Sequence, residues 1–215
     1  MNDGATTLTV QLDSSFARVE SAAGAEAFRV WRATMMLLTH GKPVRLESIA
    51  ESLGLAPQRV QEALRGFPDA EYGDDGRIVG LGLTLRPTRH RFEVEGRALF
   101  TWCALDTLMF PAILAMAARV ESTCFATGEP IRLEVDASGP HEVAPSSTVV
   151  SLVVPSDASS IRTSFCNEVH FFATRRVAGR WLAGHPEASL VSVDEAYRIG
   201  LALAQSRFGG AARCC

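Results

Sequence analysis

The 215-residue chain has no apolar run of the roughly 18 residues that a membrane helix needs. Residues 1–15 lack the basic start and apolar block of a secretion signal. No CxxC pair and no HxxxH pattern occurs, which removes the usual spacings of zinc knuckles and zinc proteases. There is no excess of positive charge. Against 24 acidic residues stand 21 Lys and Arg, a net charge of −3, whereas an indiscriminate nucleic-acid binder is basic. No internal repeat or low-complexity segment interrupts the chain. These absences leave a globular protein, expected in the cytoplasm.

Hydrophobic residues make up 47% and charged residues 21%, enough for one large domain or two small ones. The five cysteines are Cys103, Cys124, Cys166, Cys214 and Cys215. Their odd number and wide spacing predict free thiols in a reducing compartment. The question is which of them react and which fill space.

Residues 1–24 are small and polar and read as a flexible arm. Over 26–39, Phe28, Trp31, Met35 and Leu38 recur at helical spacing. VRLESIAESLGLAPQRVQEALRGF (44–67) predicts helix 46–53, a turn at Gly54, and helix 57–66 opened by Pro57. RIVGLGL (77–83) and RHRFEVE (89–95) are candidate wing strands, so 25–96 reads as a winged-helix-like three-helix unit. DNA binding is the sharp reading of that unit. Over 45–69, however, Arg45, Arg59 and Arg65 are outnumbered by Glu47, Glu51, Glu62 and Asp69. A helix that sits on phosphates should be basic.

Residues 97–208 form the second unit, and 209–215 a flexible, cysteine-containing tail. Pro111 is expected to divide two short helices. Beyond Arg119 the pattern changes to strands at 118–123, 130–136, 142–144 and 148–155, separated by short turns, which predicts a mainly antiparallel sheet. A short helix over 157–165 capped by Asp157, a strand at 168–174, a helix over GRWLAGHP, a strand SLVSV and a last helix 194–208 capped by Asp194 complete the chain.

The stretch FTWCALDTLMFP (100–111) sets a thiol, Cys103, three residues before a carboxyl, Asp106, in an apolar run. On a helix that spacing shares one face. Free cysteine often packs as a small hydrophobe. A carboxylate among leucines is harder to explain, because burying it unpaired is costly, although it could cap a helix or meet an arginine. Cys166, in SFCN, lies at a helix-to-strand junction where a thiol is either packed or reactive. Cys124 reads as structural. The vicinal Cys214–Cys215 pair is a candidate soft-metal relay. His170 reads as a sheet residue, and His40, His90, His141 and His185 lie in unrelated segments.

TWCALDTLMFPAI, ARVESTCFATGEPI, VSLVVP and SFCNEVHFFAT, together with GRIVGLGLTLRPT and SVDEAYRIG, resemble the organomercurial (alkylmercury) lyases from about residue 40 to 205. The resemblance implies that Cys103, Asp106 and Cys166 act together on an organomercurial substrate. It implies Hg(II) product held on Cys103 and Cys166, with Asp106 as a further ligand, and no organic or metal cofactor. Trp102, Phe165 and Leu83 match positions near the substrate, and Cys124 matches a structural cysteine. Many members carry a second cysteine where this chain has Asn167. The expected fold is α+β, a winged-helix-like unit packed on a mixed, mainly antiparallel sheet with short helices. The expected acceptor of Hg(II) is a cellular thiol or a mercuric reductase, with no nucleic-acid or membrane partner. The alternatives are a winged-helix, thiol-based metal-responsive regulator, or a metal-binding protein without turnover.

Overall fold

A computed structural model describes residues 3–155 and 160–208. The chain opens with helix α1 (Asp3–Ala23), followed by α2 (Ala25–Leu38), α3 (Leu46–Leu53) and α4 (Pro57–Leu64). The flexible arm expected over 1–24 is therefore helical from Asp3 onward. Its sequence hides a sparse apolar stripe, in which Leu8, Leu12 and Phe16 recur every fourth residue. Leu8 and Leu12 are buried in the core, with Phe16 packed against it. The helix-turn-helix forms as expected. Gly54 takes the left-handed conformation that ends α3 (φ 63°), and Pro57 stands in the first turn of α4. Ile49, Val60 and Leu64 point inward.

Eight strands make one sheet: β1 (Glu71–Tyr72), β2 (Ile78–Leu81), β3 (Leu83–Thr84), β4 (His90–Val94), β5 (Arg97–Thr101), β6 (Ala118–Thr123), β7 (Pro130–Asp136) and β8 (Gly139–Ala144). Their order is β1-β2-β3-β5-β4-β6-β7-β8. The strands β9 (Val149–Leu152), β10 (Phe171–Phe172) and β11 (Ser189–Ser192) make a second sheet, in the order β10-β9-β11. Every pairing among these strands is antiparallel, so the mixed sheet expected resolves into two antiparallel ones. The two expected wing strands do not pair with each other. Gly82 (φ 88°) breaks the first into β2 and β3, and β4 reaches that side of the sheet only through β5. The sheet thus runs unbroken from the helix-turn-helix to β8.

Helix α5 (Ala104–Leu114) is apolar on nearly every side and buried, as a helix surrounded by protein must be. It packs on α8 (Val193–Phe208), where Gly200 lets Met109 approach. Pro111 does not divide α5, which runs through it. A proline there forfeits one backbone bond, but burial of the whole helix holds the segment in line. The α8 start is also displaced from expectation. Ser192 Oγ accepts from Glu195 N at 3.2 Å while Glu195 Oε2 accepts from Ser192 N at 3.0 Å, a capping box, and Asp194 stands inside the first turn. Short helices α6 (Ile161–Ser164) and α7 (Gly179–Ala183) flank β10. Ser160 caps α6, while Asp157, the cap expected, lies outside the described residues, as do Cys214 and Cys215.

Gly82 is required twice over. A Cβ there would meet Phe110 Cζ at 3.1 Å, and the backbone is in the region that L-residues avoid. Gly82→Ala should lower unfolding stability by about 1–3 kcal/mol, read as a shift in urea midpoint at constant slope.

Candidate active site

The site is built on the first turn of α5. Strand β5 ends at Thr101, and Cys103 follows in extended conformation (φ −143°, ψ 172°) as the N-cap of α5. Asp106 is the third helical residue. Its Oδ2 accepts from Cys103 N at 3.1 Å, and the Cys103 side chain accepts from the Asp106 backbone N–H. The three-residue spacing therefore encodes a capping box, with a thiol in place of the usual hydroxyl, rather than two groups sharing a helix face. Both residues are buried, Cys103 completely and Asp106 to 7% exposure.

Cys166 opens a single 3-10 turn, Cys166–Glu168, after α6. Two anchors hold the chain just beyond it. Ala104 N, at the start of α5, donates to Val169 O at 3.1 Å. Ser151, on β9, donates through Oγ to Glu168 O at 2.8 Å and accepts from His170 N at 2.9 Å. The Sγ atoms of Cys103 and Cys166 and a carboxylate oxygen of Asp106 consequently lie within 4.8 Å of one another. Three residues distant in sequence or in role thus form one buried cluster.

Burial governs their acidity. It pushes Asp106 up from 3.8 to about 7, against the hydrogen bonds from Cys103 and Trp102 that favour the ionised form. Burial also raises Cys103 well above an ordinary thiol, helped by its hydrogen bond to Cys166 and the charge of Asp106. Cys166 accepts that hydrogen bond, which lowers it, yet burial and the charges of Asp106 and Asp69 raise it on balance. The thiols rest protonated, and the carboxyl beside them is poised to exchange a proton near neutrality.

A cavity of about 110 Å³ opens onto Asp106 and Cys166. Its walls are apolar and largely aromatic, including Phe16, Trp31, Phe67, Trp102, Phe110 and Phe165. Dry cavities of about 150 Å³ accommodate benzene, so this smaller one is on the scale of a small organic group. Trp102 and Phe165, two of the residues expected near a substrate, stand in the wall. Leu83 is fully buried in β3, and the wall at that point is formed by Leu81 and Gly82. Sequence reasoning missed Phe16, whose ring meets Phe165 edge-on at 5.3 Å and lies under the Arg207 guanidinium at 5.5 Å. The Leu8, Leu12, Phe16 stripe was the available signal.

The other candidates lie apart. Cys124 is buried after β6 and is outside the cluster. Desolvation raises its thiol, but hydrogen bonds from Thr127 and from backbone N–H groups of Ala173 and Ala126 outweigh it and bring the pKa below the usual value. His170, adjoining β10, stacks on Phe125 at 3.8 Å, and burial lowers it to about 4. Burial lowers His90 to about 3, with Nδ1 2.9 Å from Ser122 Oγ. Both imidazoles are therefore neutral at physiological pH. Asn167 is exposed while Cys166 is buried, so its side chain is not part of the buried cluster.

Residues 83–205 match the family model described as alkylmercury lyase, and residues 7–82 match the helix-turn-helix domain of alkylmercury lyase. An alkylmercury lyase of Streptomyces lividans is 46% identical over 212 residues, covering 98% of this chain and 97% of that one. One of Pseudomonas putida is 50% identical over 163 residues, covering 76% and 77%. Among solved structures, the mercury-bound form of MerB2 superposes with a TM-score of 0.79 at 26% identity, covering 92% of this chain and 99% of that one.

The raised Asp106 makes a stability prediction. Between pH 4 and 7 the folded state keeps a proton that the unfolded chain has lost, so stability falls as pH rises through that window. Asp106→Asn removes the penalty. The variant should gain on wild type by a few kcal/mol, on the order of 4 at most, between pH 4 and pH 8 in paired urea titrations. A pH-independent difference would contradict the buried acid.

Proposed function

The chain belongs to the alkylmercury lyase family and is an organomercurial lyase, and we propose that it breaks the carbon–mercury bond by protonolysis on Cys103, Cys166 and Asp106. The observation that carries this reading is the buried cluster of two thiols and a carboxyl within 4.8 Å, at the edge of an apolar cavity. Mercury is a soft ion, and thiolates are the soft ligands a protein owns. Carbon bound to mercury leaves poorly until it is protonated.

Asp106, ionised, takes the proton of Cys103, and the resulting thiolate attacks mercury. The thiol that carried the organomercurial in departs with the second thiol proton, as Cys166 becomes the second sulfur ligand. Two thiolates donating to mercury push electron density onto carbon. Asp106 then delivers the stored proton to that carbon, and RH leaves. Two thiol protons are consumed, one on RH and one on the departing thiol, and mercury remains Hg(II). The product stays on Cys103 and Cys166, with Asp106 as a further ligand, until a cellular thiol or a mercuric reductase takes it. Placement in the cytoplasm belongs to the same reading, because free thiols persist in a reducing compartment. Among the described residues no helix is long and apolar enough to cross a membrane.

The regulator reading is not favoured. Arg59 of α4, the helix that would face DNA, is ion-paired at 2.8 Å with Glu26. The loop after α4 supplies Phe67 and Asp69 to the cavity wall, so the helix-turn-helix is used inward.

Purified protein given methylmercury and excess thiol should release methane and Hg(II) one for one, and methane no faster than in the thiol-only control would refute the proposal. Asp106→Asn should bind Hg(II) at full stoichiometry while losing roughly 10²- to 10⁴-fold in kcat. Because Asp106 must be ionised to accept the thiol proton, kcat/KM should fall below pH about 7, whereas a flat profile from pH 5 to 8 would remove it as the base.

A further inference from the structure

Cys166 is anchored downstream by Val169 and Ser151, and its upstream anchor is of another kind. One turn of helix, α6, leads into Phe165 and Cys166. A helix that short does not hold itself together, so its shape depends on what its first N–H groups bind. Here one of them, together with the hydroxyl of the capping Ser160, meets a carboxylate from 91 residues earlier. Asp69 Oδ1 accepts from Ser160 Oγ at 2.8 Å, and Asp69 Oδ2 accepts from Arg162 N at 3.1 Å. Ser160 Oγ in turn accepts from Thr163 N at 3.1 Å. Asp69 lies between α4 and β1, in the helix-turn-helix unit, and stands in the cavity wall.

We propose that Asp69 is a positioning residue for the lyase reaction, fixing the 160–166 segment so that Cys166 can close on a mercury atom already held by Cys103. The proposal rests on Cys166 being the second mercury ligand. The first sulfur–mercury bond needs Cys103 alone. The second requires Cys166 Sγ to meet the same atom, and its effective concentration there falls as the segment gains freedom. Loss of the Asp69 carboxylate frees the Ser160 hydroxyl and the Arg162 N–H together, and leaves the start of the one-turn helix held from outside by the Arg162 side chain, through its ion pair with Glu71 and its stack on Trp102. Capture then persists while the two-thiolate grip, and the bond cleavage it drives, is lost. The helix-turn-helix unit acquires a role within the reaction, since its last loop holds one of the two thiols in register.

The test uses full-length Asp69→Ala, Asp69→Asn and Ser160→Ala, with Cys166→Ser as control, on phenylmercury with glutathione. Asp69→Ala should lower kcat roughly 10- to 100-fold with little change in KM, and Hg(II) should pass to dithiothreitol correspondingly faster. Asp69→Asn keeps an oxygen acceptor and should recover most of the rate, with Ser160→Ala between the two. If Asp69→Ala does not fold, the Asn and Ser160 variants carry the comparison. A purely structural anchor would lower Tm and leave kcat per folded molecule unchanged. That result, beside an inactive Cys166→Ser, overturns the positioning role alone. A fully active Cys166→Ser overturns the two-thiolate reading and this proposal with it.

Discussion

A carboxyl group kept out of water at the first turn of a helix is the constraint on which the rest depends. Asp106 is buried because α5 is apolar on nearly every side. It is tolerated because the cap gives it backbone N–H partners. Those partners are too few to offset desolvation, and its acidity drops to the neutral range. The same cap puts the Cys103 thiol against the carboxyl, so in the proposed mechanism one local motif supplies both a nucleophile and the group that moves its proton. The cost to stability is the condition for the chemistry, a pattern common where perturbed acids gather.

The surrounding architecture brings the third group in and buries it. β9 clamps the chain after Cys166 through Ser151, and the first residue of α5 bonds to Val169. The cavity that opens on the cluster is walled by α1, α2 and the loop after α4 as much as by α5 and α8. The N-terminal helices are thus part of the site's enclosure. Phe16 of α1 and Phe28 and Trp31 of α2 make them so, joined by Phe67 from the loop after α4, and Asp69 of that loop bonds to the segment that bears Cys166.

Much of this was legible in the sequence where the signal is local. Gly54 and Pro57 marked the helix-turn-helix, and strands 118–123 and 130–136 were bounded by clear turns. The Cys103–Asp106 spacing marked the pair as a candidate, and what the spacing encodes is a cap and not a shared face. What was not legible depended on distant partners. The α1 stripe is sparse and becomes a helix by packing on α8 and the core. Pro111 looked like a break because propensity does not register that α5 is enclosed. The wing strands looked like a hairpin, yet Gly82 diverts the chain and β5 comes between. Nothing in local pattern brings Cys166 to Cys103 across 63 residues. Only the family resemblance joined them.

The most direct test of the account is a single turnover of methylmercury in D₂O, with the methane analysed by mass. Proton delivery from an exchangeable acid beside the thiols predicts singly deuterated methane, CH₃D, formed in step with thiolate-bound Hg(II). Methane without deuterium, or ethane from coupled methyl radicals, would contradict protonolysis and the role given to the buried carboxyl.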